Sequence, residues 1–137
     1  MPIAYRVDHE LRLVIAAGQG ILTDADVFGY QHDVWSRSDV AGYSELIDMT
    51  QVTKFEVPSA DRVRDLARLA ASMDDSESSA RLAVVAPADV AFGLGRMFQS
   101  YRQLDRQSTK EVAIFRSMEE ALAFLQINSP VALPKFA

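Results

Sequence analysis

The segment from residue 81 to residue 98, RLAVVAPADVAFGLGRMF, constrains the fold more than any other part of the chain. Its apolar run after Arg81 stops at Pro87, and a helical pattern with two glycines begins at about Ala88. A strand that passes into a helix through a tight turn is the building unit of layered α/β domains. Ligands in such domains usually bind where a strand ends and the next helix begins. The segment therefore predicts an α/β fold and the position of a site, although it specifies no chemistry.

The composition fits a single globular domain and disfavours several classes of function. With 137 residues, 49% of them apolar, the chain is long enough for one domain with a sizeable core. The net charge of −5 disfavours non-specific nucleic-acid binding, which needs a basic face, and disfavours attraction to anionic membrane surfaces. The chain has no cysteine, which excludes disulfides, zinc–thiolate sites, iron–sulfur clusters and thiol nucleophiles.

No stretch of the sequence has the character of a targeting or membrane-spanning segment. The first ten residues, MPIAYRVDHE, lack an apolar core of signal-peptide length. No run approaches the roughly 18–20 apolar residues that are needed to cross a bilayer. We therefore expect a cytoplasmic protein without a membrane span.

Hydrophobic periodicity predicts five strands and four helices in the order β-β-α-β-α-β-α-β-α. The predicted strands are residues 3–8, 11–16, 45–49, 81–86 and 111–115; the predicted helices are 24–37, one after Ser59, 88–105 and one after Ser117. The run Gly18-Gln19-Gly20 breaks the strand pattern, and residues 50–58 are interpreted as a loop. The alternation predicts a mixed, mainly parallel sheet with an N-terminal hairpin. Residues 1–127 would form the domain and residues 128–137 an irregular tail.

Three hydroxyl residues are predicted to begin helices. Thr23 with Asp26 is close to a capping box, although Asp replaces the usual Glu or Gln. Ser117 with Glu120 matches the full Ser-x-x-Glu pattern of a capping box. Ser59 is a suitable N-cap for the second helix.

Four stretches of the chain carry a resemblance to a known family. They are GILTD from residue 20, ELID from residue 45, VVA with FGLGRM between residues 84 and 97, and IFRSMEEALAFL from residue 114. In this order they resemble the SpoIIAA-like family over about residues 3–126. That family has the fold of the STAS domains, which occur as anti-sigma-factor antagonists and as transporter tails. The resemblance implies a small non-enzymatic domain that binds partner proteins, and the fold is also likened to lipid-carrier domains.

The resemblance further implies a serine that is switched by phosphorylation. In the family this serine lies where the central strand passes into its helix, in a pattern like Asp-Ser-Ser-Gly. The matching region here reads FEVPSA, in which Ser59 is the counterpart after a one-residue shift and the flanking Asp, Ser and Gly are missing. The alternative is that Ser59 only caps the helix. A phosphate at this position would be stabilised by the helix dipole and the free N–H groups.

The third predicted helix carries the candidate ligand or dimer surface. Gly93 and Gly95 do not form a dinucleotide fingerprint, because the third glycine is missing and both lie inside the helical pattern. They permit either close packing or a ligand-facing surface. Large side chains spread over more than one face of this helix, which leaves core, an apolar pocket or a dimer contact as alternatives. These side chains are Phe92, Met97, Phe98 and Tyr101.

The charged candidates each have an ordinary structural interpretation beside a functional one. Basic residues cluster at Arg96, Arg102, Arg106 and Lys110. They form either a solvated stripe, if the helix continues far enough, or an anion site. Asp48, near the end of the central strand, is expected to cap loop N–H groups. His9 and His32 are isolated in sequence, His32 is expected on the surface, and neither has a metal-ligand spacing.

The sequence contains no recognisable catalytic set. It has no Walker loop, no Gly-x-Ser-x-Gly and no His-Glu-x-x-His motif, so we expect neither an enzyme, a cofactor nor a metal site. We expect a STAS-like binding or regulatory module that acts through protein–protein contacts and forms a homodimer. The alternative is a carrier or sensor of a small, hydrophobic, lipid-like ligand, with its pocket between the third helix and the sheet.

Overall fold

The computed structural model describes residues 2–136, and its strands and helices follow the predicted order. The strands are β1 (Ile3–Asp8), β2 (Leu13–Thr23), β3 (Ser44–Glu56), β4 (Arg81–Val85) and β5 (Glu111–Phe115). The helices are α1 (Asp24–Trp35), α2 (Ala60–Ser72), α3 (Asp89–Gln103) and α4 (Met118–Phe124), with a 3-10 turn at Ser38–Val40. Across residues 2–136, no helix combines the length and the apolar character that crossing a bilayer requires.

The strands form one mixed sheet in the order β1-β2-β3-β4-β5, which confirms the predicted fold class. β1 and β2 are an antiparallel hairpin, and every later neighbouring pair is parallel. Side chains alternate between the two faces of the sheet. Val14 and Ala16 pack with α1, whereas Leu13 and Ile15 pack with α4 and the residues that follow it. α1, α2 and α3 therefore cover one face of the sheet, and α4 covers the other.

β2 and β3 are both longer than the sequence pattern predicts. β3 continues to Glu56, so the interpretation of residues 50–58 as a loop is wrong for most of that segment. Beyond the reach of β1 and β4, β2 and β3 continue as a two-stranded parallel ribbon in which residues 19–23 pair with residues 51–56. Most side chains of this ribbon stay in contact with water, so it lacks the buried face that produces a period-two pattern.

The two glycines of the break at residues 18–20 lie inside β2 rather than at its end. Gly18 approaches β3 so closely that a Cβ atom there would lie 2.8 Å from Cγ2 of Val52. Gly20 has a φ of 69°, in the left-handed region that glycine adopts freely, and a register shift follows it. The glycines thus mark irregularities of pairing that bend the strand without ending it.

Of the two capping boxes that the sequence suggests, the one at Thr23 is complete and the one at Ser117 is not. Thr23 Oγ1 accepts the Asp26 N–H at 3.1 Å, and the Asp26 carboxylate accepts the Thr23 N–H at 2.9 Å, so this box is complete. Ser117 Oγ accepts the Glu120 N–H at 3.3 Å, but the Glu120 carboxylate accepts the Ser117 hydroxyl instead of its backbone N–H. The prediction of a complete box at Ser117 is therefore wrong, because its reciprocal bond is not formed.

Candidate functional site

A cavity of about 120 Å³ lies on the three-helix face of the sheet, between α1, α2, α3, β3 and β4. We call it the central cavity. Its apolar lining consists of Val27, Ile47, Met49, Phe55, Val57, Val63, Leu66, Leu82, Val84, Ala91, Leu94, Gly95 and Phe98. Three polar residues, Tyr30, Gln31 and Glu45, complete the lining. An apolar wall with a few polar groups is the usual composition of a small-molecule site.

The position of α2 leaves the space for this cavity. α2 packs against α3 and α1 and stays at a distance from the sheet. Its buried residues, Val63, Ala67, Ala70 and Ala71, are small. Small side chains permit a close approach of α2 to α3, but they do not extend as far as β3 and β4. The gap between α2 and the sheet is therefore only partly filled.

The two glycines of α3 have different surroundings. A Cβ atom at Gly95 would lie 3.1 Å from side-chain carbons of Ile114, so the missing side chain lets α3 lie close to β5. At Gly93 a Cβ atom would have no neighbour within 4 Å, and this residue is exposed. Close packing therefore accounts for Gly95, which also lines the central cavity, whereas Gly93 lies on the outer surface.

The expected ligand or dimer surface of α3 does not form one outward-facing patch. Phe92 and Phe98 pack against the buried cluster of β4 and β5, and Phe98 also lines the central cavity. The Arg116 guanidinium covers the Phe92 ring at 4.2 Å from its centroid. Met97 and Tyr101 are half-buried. Phe92 and Phe98, for which a dimer contact was an alternative, thus pack in the core or line the cavity instead.

A group of four side chains, which we call the polar cluster, borders the central cavity. The buried Glu45 carboxylate accepts hydrogen bonds from the Tyr30 hydroxyl at 2.6 Å and from the Trp35 indole N–H at 3.1 Å, both on Oε2. Its Oε1 accepts the Lys110 ammonium at 3.4 Å. That ammonium also lies 3.2 Å from the centroid of the Trp35 ring. Each charged group of the cluster thus faces a partner, and no buried side-chain nitrogen or oxygen among residues 2–136 lacks a hydrogen-bond partner.

Burial sets the protonation behaviour of the polar cluster. Loss of solvation raises the pKa of Tyr30 well above its usual value, and the adjacent Glu45 carboxylate raises it further. Loss of solvation also lowers the pKa of Lys110, against the opposing attraction of Glu45 and Asp74. The Tyr30 hydroxyl therefore stays protonated and able to donate over the whole physiological pH range.

The basic residues in and after α3 do not form a stripe along one helix. α3 ends at Gln103, so Lys110 is not on this helix, and Arg102 is 3% exposed. The Arg102 guanidinium donates to Asp74 at 2.5 Å, which makes it part of a buried ion pair. The default interpretation as a solvated stripe is therefore wrong for Arg102 and Lys110, because each faces a buried carboxylate.

Arg96 and Arg106 are both exposed. Arg106 lies beyond the end of α3. Of the three arginines only Arg102 is buried, and its guanidinium is already paired with Asp74. An anion site shared by the three stays a prediction.

A second cavity of about 290 Å³ lies on the other side of the polar cluster. Trp35 and Lys110 border it, together with Asp74 and Asp75. The Asp74 carboxylate is already used, since it accepts Arg102 and the backbone N–H groups of Thr109 and Lys110. The polar cluster thus separates the apolar central cavity from a second cavity that is lined by both charged and apolar residues.

The remaining predicted residues have structural roles or lie on the surface. The Asp48 carboxylate accepts the Thr50 N–H at 3.0 Å, which is the capping role expected for it. His9 Nδ1 is 2.7 Å from the Tyr43 hydroxyl, and His32 is exposed as expected. Among residues 2–136, no three or more His, Cys, Asp or Glu side chains come together in a way that could hold a metal ion.

Ser59 precedes α2 in an extended conformation and is exposed. Its backbone carbonyl accepts the Arg62 N–H at 3.2 Å, but its hydroxyl forms no capping hydrogen bond. The residue therefore begins the helix as predicted without the side-chain contribution of an N-cap. Its role as a phosphoacceptor stays a prediction.

Glu45 is the centre of the polar cluster, but no motif or spacing in the sequence singles it out. The available signal was a charged residue at the start of the apolar stretch ELID. A carboxylate in a buried strand needs partners, but those partners are 10, 15 and 65 residues away in the chain. A single sequence does not show which of its residues meet at such separations.

These features define a small α/β domain of SpoIIAA-like fold with an apolar cavity under three helices. The structure is similar to the crystal structure of an uncharacterized protein of the DUF3478 family, with a SpoIIAA-like fold, from Shewanella loihica PV-4. The TM-score is 0.56 at 17% sequence identity, with 90% of this chain and 93% of that chain covered. At this identity the similarity shows the fold. No family model and no curated protein matches the chain.

Proposed function

We propose that this domain is a non-enzymatic binding module that holds a small apolar molecule in the central cavity. The observation that carries the proposal is the cavity itself, whose wall is apolar except for Tyr30, Gln31 and Glu45. Its volume of about 120 Å³ is comparable with the ~150 Å³ of an engineered apolar cavity that binds benzene. The ligand is therefore a single ring or a short chain of similar size, such as the end of a lipid-like molecule.

The polar cluster supports a binding role over a catalytic one. Glu45 is engaged by Tyr30, Trp35 and Lys110, and Asp74 by Arg102. A general acid or base needs a titratable group that can exchange a proton with the substrate. The acidic and basic groups of this region are instead bonded to each other, which favours sensing or carriage of a ligand.

The protein-contact hypothesis, with a homodimer and a cytoplasmic location, stays a prediction from the sequence. The inward position of Gly95 and Phe98 makes the ligand hypothesis the better supported of the two. Light scattering would test the homodimer, and a strict monomer at high protein concentration would remove it.

Thermal unfolding in the presence of benzene tests the proposed function. At tenfold excess over Kd a ligand of the native state adds about 1.4 kcal/mol, which raises Tm by roughly 3–5 °C in a domain of this size. Ala91→Leu places three carbons into the central cavity from a residue that is 6% exposed, so it should abolish the shift. Ala123→Leu makes the same change on an exposed site of α4 and should retain it. No shift in the wild-type protein, or an equal shift in the two variants, would refute the proposal.

A further inference from the structure

The polar residues of the central cavity are largely shielded from bulk water. Tyr30, Gln31 and Glu45 all line it. Their exposed fractions are 9%, 8% and 3%, so each is at least nine-tenths buried. A molecule inside the cavity is therefore the nearest partner for hydrogen-bonding capacity that these side chains leave unused on the cavity side.

Two of these side chains offer acceptors. The Tyr30 hydroxyl donates its one hydrogen to Glu45 at 2.6 Å, which leaves its oxygen able to accept a hydrogen bond. Oε1 of Glu45 accepts from Lys110 alone, at 3.4 Å, whereas Oε2 has two shorter bonds. A carboxylate oxygen accepts more than one hydrogen bond, so Oε1 keeps room for a second and shorter one.

Gln31 is the least engaged of the three side chains. Its amide nitrogen approaches the Met73 sulfur at 3.7 Å, and a thioether is a weak acceptor. Within residues 2–136, no group donates a hydrogen bond to the side-chain oxygen of Gln31, and no buried side-chain nitrogen or oxygen lacks a partner. This oxygen is therefore not sealed in the core, and a donor group of a ligand can reach it.

We propose, on the basis of the proposed function, that the central cavity selects molecules with an apolar body and one neutral hydrogen-bond donor, such as phenols and short alcohols. The donor bonds to the acceptors of Glu45 and Tyr30, and the amide of Gln31 lies beside it. A carboxylate is excluded, because it has no hydrogen to donate and brings a second negative charge next to Glu45. A hydrocarbon fills the apolar part but leaves the polar side chains without a partner.

Three ligands with the same ring test this selectivity: phenol, benzene and benzoate, titrated calorimetrically at pH 7. We expect phenol to bind about tenfold more tightly than benzene, because a site built to bond a hydroxyl discriminates against the analogue that lacks it. Benzoate is ionised at this pH and should give no detectable binding. A cavity without available acceptors would prefer benzene to phenol, because the hydroxyl would lose its water without gaining a partner.

Gln31→Leu, compared with Leu66→Met, links the selectivity to the polar side of the cavity. Both residues line the cavity, but only the first substitution removes a polar group. Gln31→Leu should reduce the ratio of phenol to benzene affinity several-fold, whereas Leu66→Met should preserve it. The comparison of ligands on the wild-type protein stands even where a variant does not fold.

The outcomes separate this inference from the proposed function. Benzene binding more tightly than phenol, benzoate binding as tightly as phenol, or an unchanged ratio in Gln31→Leu would overturn the selectivity and leave the binding function intact. Failure of all three ligands to bind the wild-type protein would refute the binding function as well.

Discussion

Removal of Lys110 should destabilise the domain strongly, because it leaves the Glu45 carboxylate buried without its counter-ion. The two side chains are 7% and 4% exposed, so solvent does little to screen the pair. Loss of one partner of a buried ion pair typically costs about 3–5 kcal/mol. In Lys110→Met, Tyr30 and Trp35 still donate two hydrogen bonds to Glu45, which places the expected loss near 3 kcal/mol. That loss corresponds to a Tm lower by roughly 10 °C.

The double variant Glu45→Gln with Lys110→Met separates lost charge pairing from lost packing. A glutamine at position 45 keeps an oxygen that accepts from Tyr30 and Trp35 but carries no charge that needs a counter-ion. We therefore expect the double variant to recover at least about half of the stability that the single variant loses. Urea unfolding, followed by circular dichroism, measures both changes. A loss below about 1 kcal/mol in Lys110→Met, or a double variant no better than the single one, would refute the reasoning.

The same comparison has an expected pH dependence. Because burial lowers the pKa of Lys110 below its usual 10.5, the folded state binds fewer protons than the unfolded state between the lowered pKa and 10.5. Stability rises with pH wherever the unfolded state binds more protons. The wild-type protein should therefore gain stability relative to Lys110→Met as the pH rises through this window. Paired unfolding curves at several alkaline pH values measure the difference.

Two further predictions concern α1 and α2. Thr23→Ala should cost about 1 kcal/mol in urea unfolding, because it removes a complete cap. Ser59→Ala should cost only a few tenths of a kcal/mol, since the Ser59 hydroxyl caps nothing. Equal losses in the two variants would contradict this account. The hydrogen bond from Arg62 to Asp24 lowers the pKa of Asp24 below 3.8, so its stabilisation is present above pH 3.8 and is lost as the pH falls through the lowered pKa. Asp24→Asn should therefore lose less stability than the wild-type protein on acidification below pH 3.8, as measured by acid unfolding, and parallel acid profiles would count against it.

The sheet and the helices were largely predictable, because their buried faces are apolar. Val14 and Ala16 face α1 while Leu13 and Ile15 face α4, so both faces of this strand are buried and the sequence shows it as a continuous apolar run. The ribbon at the ends of β2 and β3 was not predictable in the same way. It is paired through its backbone and has no continuous apolar face, so its side chains carry little pattern.

The environment of Arg102 shows why the site was harder to predict than the fold. The spacing of Arg102, Arg106 and Lys110 suits one helical face only if the helix continues, but α3 ends at Gln103. The chain then turns, and Lys110 enters the domain beside Glu45 while Arg102 reaches Asp74. Residue spacing describes neighbours along a helix, whereas buried charge pairs are set by tertiary packing, which a single sequence does not display.

The volume and lining of the central cavity indicate whether a ligand is expected there. Empty volume enclosed in a core costs about 24 cal/mol per Å³, so about 120 Å³ would cost about 3 kcal/mol if it were sealed; the central cavity is partly open, and its cost is lower. A leucine at Ala91 would fill much of this space with ordinary apolar packing. The chain instead has a small side chain there and a polar cluster at the wall, an arrangement that favours an occupant over a simple packing defect.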